Sequence, residues 1–386
     1  MVLTPIRRVV TGNDEQGRSK VVWDGPSPGV HEAQLPGVVG GKIDGRGHTD
    51  FWVWRETPAP LAGSEDAGTW NDEFPCPVGG GHFRVVHWLA KTAESPPNAP
   101  YKAPEQHGRT WDRGGGNHYN RSYMHKTKSL DYGILLSGER VMELDDATLT
   151  LKPGDVVIDV GAWHLWDSSR TGCLMAFDMF DAEFADGPAG TAQGSDKPLR
   201  PAENRPLPPG VKPQRRVVAV DREAGKSSLV GDTGSPDVRA DPARPGFALH
   251  RMWVVDGCPA KLVYETLHLP HVLVPPRRGS VLNVLTVPPD AAWKGRVGER
   301  EVRAYFQAMG APQASTWSRE APHPYMQKTR TLDLCAVLEG EVVLVLDTQE
   351  VALGPGEIVI QRGTNHAWSN RSGKPAVVAI AAHDAA

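Results

Sequence analysis

Residues 123–166 read YMHKTKSLDYGILLSGERVMELDDATLTLKPGDVVIDVGAWHLW, and residues 325–368 read YMQKTRTLDLCAVLEGEVVLVLDTQEVALGPGEIVIQRGTNHAW. The two stretches align without a gap at an offset of 202. A second pair lies upstream. RRVVTGNDEQGRSKVVWDG (7–25) and RRVVAVDREAGKSSLVGDT (215–233) share nine of nineteen positions at an offset of 208. The copies therefore differ by a net six residues between the two blocks. A period near 200 residues is too long for a solenoid, whose units run to about 20–45 residues, so the repeat is a duplicated domain. Between the copies, DGPAGTAQGSDKPLRPAENRPLPPG (186–210) is rich in Pro, Gly and small polar residues and has no apolar period. It reads as a linker. Copy one is placed at 1–185 and copy two at 211–386.

Within each copy the apolar residues come in short runs closed by Gly, Pro and Asp. Val141 to Leu144, Val156 to Val160, Val342 to Leu346 and Ile358 to Ile360 are examples. Turn signals such as SGE, KPGD and GPGE recur at short intervals. No stretch keeps a 3.6-residue period for three capped turns. The fold class is all-β, with antiparallel strands in a sandwich or barrel. The irregular stretches 56–80 and 89–117 read as surface loops or lids.

Composition narrows the function. The chain has 386 residues, net charge −4, 41 Gly and 34 Pro. It lacks the basic excess of a nucleic-acid binder. It has no apolar run long enough for a membrane helix and no secretory h-region, so a cytoplasmic protein with no membrane or nucleic-acid partner is expected. Cys76, Cys173, Cys258 and Cys335 are scattered and read as buried thiols of a reducing compartment.

The chemistry-bearing residues lie in copy one. On an extended strand Tyr123, His125 and Thr127 share a face, and Asp131 keeps that parity. His164 ends the next motif. Two imidazoles and one carboxylate suit Fe(II), Mn(II), Zn(II) or Ni(II), and with open positions they match the donor set of non-haem iron oxygenases.

This pattern resembles the cupins. Their first motif carries H-x-H, a glutamate and a closing glycine; their second carries glycines, a histidine and an asparagine. In copy one, His125 stands in the first His slot, Thr127 replaces the second, Asp131 takes the glutamate slot, and Gly138 closes the motif. Gly154, Gly161 and His164 fill the second motif, with Ser168 in the Asn slot. In copy two, Gly340, Gly356, Gly363, His366 and Asn370 match, Asp333 takes the acid slot, and Gln327 and Thr329 replace the histidines. The likeness covers roughly 120–180 and 322–382 and implies two tandem double-stranded β-helix (jelly-roll) barrels, a bicupin. It is similar in particular to small bacterial and fungal cupins, some of them described as oxidoreductases. It implies a divalent metal, Fe(II) foremost and Mn, Zn or Ni as alternatives, held by His125, Asp131 and His164. Tyr123 and Thr127 would stand beside it as catalytic groups. Gln327, Asp333 and His366 are a poorer second site. A small organic substrate is expected, with dioxygenase or other oxidoreductase chemistry first. Isomerase, decarboxylase or lyase chemistry is an alternative, as is a non-catalytic small-molecule-binding bicupin. A homodimer is one expected assembly.

Blander readings stand beside these. Tyr123 and Tyr325 recur in both copies, which favours packing, as it does for Trp166 and Trp368. Lys126 and Lys328 alternate outward. His323 shares strand parity with Gln327. His82, His87 and His118 read as surface or structural groups, any one of which could supply a third imidazole. Arg84 binds a substrate carboxylate if it faces inward.

Overall fold

The computed structural model describes residues 3–34, 41–70, 74–92, 95–184, 186–194 and 206–386. Its architecture is all-β. Among the described residues one sheet runs Lys226–Gly234, Arg215–Glu223, Val156–Val160, Ser129–Glu143, Leu165–Glu183, Gly81–Trp88, Lys42–Trp54, Gly29–Gln34. A second runs Val238–Ala240, Ala248–Val255, Ser280–Val287, Ala376–Asp384, Thr331–Glu339, Ile358–Arg362, Arg7–Asn13, Ser19–Pro26. The short sheet Glu350–Leu353, Val342–Leu346, His366–Ser369 closes the second roll. In the first roll, the long strands Ser129–Glu143 and Leu165–Glu183 bend and do both jobs.

Local sequence accounts for these strands. In Thr148–Leu151 the leucines are buried and the threonines exposed, the period of a sheet with one wet face. Ser280–Val287 (SVLNVLTV) is buried throughout and rich in β-branched residues, as a central strand covered on both faces requires. Gly138 and Gly340 adopt φ of 75° and 74° at matching places. A Cβ on Gly138 would lie 2.0 Å from Gly172 O, so only glycine fits there.

The sheets cross the sequence division at 185/211. Arg7–Asn13, the start of copy one, pairs in parallel with Ile358–Arg362 of copy two. Arg215–Glu223 pairs in parallel with Val156–Val160 of copy one. The opening hairpins are therefore exchanged, with equivalent anchors on each side. Arg7 pairs with Asp24 and Glu357, and Arg215 with Asp232 and Asp155. Ser19 binds Asp347, and Ser227 binds Asp145. One apolar core runs from Ile134 and Val218 to Leu334 and Ala379.

Lys126 departs from its expected outward course. Its side chain is fully buried, and Nζ donates to Asp221 Oδ2 at 2.5 Å and to Gly190 O at 2.6 Å. Parity fails because both faces of this short strand are covered, one by the exchanged hairpin and the segment after Asp186. That segment, read as linker, docks through Ala192 N to Asp221 O and Gln193 N to Leu262 O; residues 195–205 lie outside the described residues. Lys328 is exposed, as expected.

A helix not anticipated from the sequence spans Glu299–Ala308. It is too short to hold a three-turn period. Glu301 caps it by accepting from Gly298 N at 3.1 Å, and Val302, Tyr305 and Phe306 form its buried stripe. No helix among the described residues is long and apolar enough to cross a membrane. All four cysteines are unpaired.

The buried Lys126–Asp221 pair gives a direct test of the exchange. Lys126→Ala leaves a buried carboxylate unpaired and is expected to lose about 3–5 kcal/mol of stability. Lys126→Met with Asp221→Leu should recover much of that loss. Urea unfolding of the two variants measures it.

Candidate metal and substrate site

The short strand His125–Thr127 meets the second motif through a backbone bridge, with His125 N donating to His164 O at 2.8 Å and His164 N to His125 O at 2.9 Å. The two rings lie 4.2 Å apart. His125 Nδ1 is 2.8 Å from Tyr123 O. His164 Nδ1 is 3.0 Å from Ala162 O and 2.6 Å from Asp159 Oδ2. All these neighbours are acceptors, so Nδ1 carries the proton on each ring and Nε2 keeps its lone pair. Two acceptor nitrogens cannot satisfy one another; the pair calls for a cation, a proton or a water between them.

Burial, then the neighbouring His164, hold His125 well below the usual imidazole range. Burial also acts against a charged His164, but the Asp159 carboxylate outweighs it, and His164 is raised. Asp159 was not singled out in the sequence. Its signal was a carboxylate inside the otherwise apolar run VVIDV.

Asp131 faces the same cavity, is buried, and has no hydrogen-bond partner for Oδ1. Burial and the nearby Asp159 push it well above the usual carboxylate range. It does not close the expected trio. Among the described residues, the only His, Cys, Asp or Glu trio with ligand atoms within 4.8 Å of one another is His31, His48 and Asp50. The rigid pairing of Asp131 opposite Asp159 on the neighbouring strand sets its position. Thr127 is displaced as well. It does not line the cavity, and its hydroxyl accepts from Ser129 Oγ at 2.9 Å. Tyr123 does line the cavity and packs on His118, ring to ring at 4.0 Å.

The cavity measures about 450 Å³. Its walls include Trp88, Trp111, Trp166 and Phe177, and His107, Thr110, Trp111 and Asp112 come from the stretch read as a lid. His48 and Arg84 line it from the strands on the far side. Arg84 does face inward, with Nε 2.9 Å from Asp50 Oδ1. Asp50 Oδ2 lies 3.3 Å from His31 Nε2 and 3.7 Å from His48 Nε2, and the two rings stack at 4.8 Å. Burial and the neighbouring arginine lower His48 to about 3, so it is a neutral donor at neutral pH. His82 is fully buried with both ring nitrogens unpartnered, and His87 Nε2 lies 3.2 Å from Thr49 Oγ1.

Copy two fills the same space. Its lumen, lined by Gln327, Asp333 and His366, is about 30 Å³, close to the volume of one water. Gln327 Nε2 lies 3.2 Å from His366 Nε2 and caps the nitrogen that copy one leaves free. Gln361 stands where copy one has Asp159, and burial lowers His366 to about 4. Tyr325 OH donates to Asp241 Oδ2 at 2.8 Å, and its ring packs on Tyr305, Trp293 and Arg244. His323 accepts from Tyr325 N and does not reach the Gln327 position as a substitute. Gln327 and His366 thus close on each other, Asp333 stands beside them with Oδ1 unpartnered, and the small lumen leaves no room for a substrate.

Tandem jelly-roll barrels, one with an open imidazole-bearing lumen and one filled, define a double-barrel β protein. Residues 320–382 match the Cupin domain family, Cupin_2. That match lies wholly in the second half of the chain. Over 48 residues it is 50% identical to the Phomopsin biosynthesis cluster proteins C' and D of Diaporthe leptostromiformis. That stretch is 12% of this chain and 25% of each relative, so the match spans about a quarter of their length. Solved structures of similar shape include protein Ylba from E. coli, with TM-score 0.39, 9% identity, and coverage of 92% of this chain and 88% of that one. AerE from Microcystis aeruginosa gives TM-score 0.33, 10% identity, and coverage of 79% and 87%. The Bacillus subtilis oxalate decarboxylase gives TM-score 0.32, 11% identity, and coverage of 79% and 69%.

Asp333 provides a pH test of the closed barrel. Burial raises it from 3.8 to about 6. Its neutral form stabilises the fold below the unfolded value near 4, and that contribution is lost as pH rises through about 6. Asp333→Asn removes the penalty. The variant should be more stable than the parent at pH 8, by about 3 kcal/mol from a shift of about two units, and equal to it at pH 4. Thermal melts at both pH values read the difference.

Proposed function

We propose that the first barrel is a metal-dependent enzyme site for a small organic molecule, with the second barrel as its structural support. One observation carries this: a buried imidazole, His164, and a half-buried one, His125, lie 4.2 Å apart with Nδ1 of each engaged and Nε2 of each left to act as a donor. The residues fit a divalent ion. His125 and His164 would hold it through Nε2. Asp131 lines the same cavity, buried with an oxygen that has no partner, but it stands outside ligand distance of the imidazole pair, so it would act on the ion through its charge or through a bridging water. Bound there, such an ion polarises a carbonyl or enolate oxygen, and in the case of Fe(II) also activates dioxygen.

The chain's own groups do the rest. Asp159 holds the His164 ring and its Nδ1 proton, and raises the basicity of Nε2. The Tyr123 carbonyl does the same for His125. Asp131 holds a proton while the site lacks a cation and gives it up on binding one, so binding weakens as pH falls. The aromatic walls exclude water from an apolar substrate body, and the Tyr123 hydroxyl stands where it could position a polar group.

Two imidazoles with open positions between them are compatible with dioxygenase chemistry, which is the first reading. Non-redox isomerisation, decarboxylation or lyase chemistry uses the same pocket and differs in consuming no oxygen. A second ion position is favoured by one specific observation, the trio His31, His48 and Asp50 beside the same cavity.

Metal analysis of the purified, metal-loaded protein separates these readings. Stoichiometric metal is expected in the parent and in His48→Ala, and none in His125→Ala or His164→Ala. Asp159→Asn should bind about 10–100-fold more weakly. Loss in His48→Ala with retention in His125→Ala would move the ion to the outer trio. No metal in the loaded parent would leave the non-catalytic binding reading. Oxygen uptake with candidate substrates then distinguishes dioxygenase from non-redox chemistry.

A further inference from the structure

We propose that Arg46 and Arg140 form an anion clamp in the first barrel, and that the substrate is an organic carboxylate. This names the substrate class of the site described above and rests on the reading that this cavity is the working one.

Both guanidiniums line the cavity, and both lie on one indole. The Arg46 guanidinium carbon is 3.3 Å and that of Arg140 is 3.8 Å from the Trp88 ring centroid. Arg140 is 1% exposed. Cation–π contact offsets part of the cost of burying such a charge. It offers no lone pair to the N–H groups, and each guanidinium has five. Arg140 makes one weak contact, Nη1 to Cys173 Sγ at 3.5 Å, and its Nε has no partner. Arg46 Nε is buried without a partner too.

The neighbouring arginines differ. Arg84 is paired with Asp50, and Arg121 with Glu143 and Asp167. No Asp or Glu among the described residues stands within 4.0 Å of Arg46 or Arg140 in the same way. Two like charges buried together without an acid repel each other, and burial penalises both. An entering carboxylate removes the repulsion and accepts in a bidentate manner. The walls around the clamp, Trp166 and Phe177 beside Trp88, suit an organic body rather than a bare inorganic anion.

The duplication supports a functional origin. The position equivalent to Arg140 at the 202-residue offset is Val342, in the barrel whose lumen is filled. The cation is present only where there is space for a ligand. With the imidazole pair in the same cavity, the carboxylate would dock at the arginines and the reacting part would reach toward His125 and His164.

The test uses the full-length protein and three probes: benzoate, its neutral isostere benzamide, and inorganic phosphate. Binding is read by quenching of tryptophan fluorescence and by calorimetry. Benzoate should bind about tenfold or more tighter than benzamide and phosphate. Arg46→Gln, half-buried and therefore the milder change, and Arg140→Gln should each abolish that preference while retaining the parent's melting behaviour. His125→Ala should keep the preference, because the clamp does not depend on a metal. Equal binding of benzoate and benzamide would overturn the proposal. So would a preference that survives both arginine variants, phosphate binding tighter than benzoate, or a preference lost only in His125→Ala. Loss of metal in His125→Ala with the benzoate preference intact bears on the metal reading alone.

Discussion

The arrangement of the site depends on one carboxylate from the other half of the chain. Asp221, on the exchanged hairpin, receives Lys126 Nζ on Oδ2 at 2.5 Å and Trp163 N on Oδ1 at 2.9 Å. Lys126 follows His125, and Trp163 precedes His164. A single buried acid therefore ties down the backbone next to both imidazoles. Burial raises Asp221 and lowers Lys126, so each stabilises the charge of the other less than the loss of solvent destabilises it. Pairs of this kind are poor sources of net stability, but strict ones for geometry: removing one partner costs far more than the pair contributes. The backbone beside the two imidazoles is held by the second half of the molecule, whose own lumen is small and filled.

That dependence explains why a filled barrel is retained. After duplication the two halves kept the same strand plan and the same hairpin anchors, and diverged at the lumen. His125 became Gln327, Asp159 became Gln361 and Arg140 became Val342 across the 202-residue offset, or the reverse changes took place. Each difference removes a charge or a free lone pair from the second lumen. An amide against an imidazole, as in Gln327 and His366, satisfies both partners and needs no third component. The first lumen keeps the unpaired imidazoles and the cations, together with the space for a ligand.

The repeat, the strand rhythm and the two motif histidines were legible because they rest on local pattern: period two, turn residues and fixed spacing. The exchange was not. A strand such as RRVV reads the same whichever barrel it joins, and parallel pairing to Val156–Val160 or Ile358–Arg362 leaves no mark in the hairpin itself. Lys126 misled for the same reason. Alternation predicts exposure only where one face is wet, and here the partner covering the other face lies about a hundred residues away in the chain. Asp131 shared a parity with His125, but the chain steps at Lys128 from the short strand His125–Thr127 into the long strand Ser129–Glu143, and parity does not carry across that step; Thr127 stays in the strand of His125, buried, with its hydroxyl turned to Ser129. Arg46 and Trp88 lay in stretches without any motif, and only the tertiary structure shows that no acid accompanies the cations.

The remaining groups of the first cavity fall into two sets of opposite need. The imidazole pair offers lone pairs and lacks a cation; the arginine pair offers N–H groups and lacks an anion. Proteins rarely leave buried groups of either kind without partners, and doing so at both ends of one lumen costs stability twice. The two sets make no hydrogen bond to each other among the described residues; Trp166 lies against both Arg140 and His164. A ligand that is anionic at one end, with a polarisable oxygen near the other, satisfies both at once, and an ion between the imidazoles completes the electrostatics. The aromatic walls between them strengthen every such interaction by keeping the local dielectric low. On this view the selectivity of the cavity comes from complementary deficits set on a rigid frame, with Asp221 holding one of them in place.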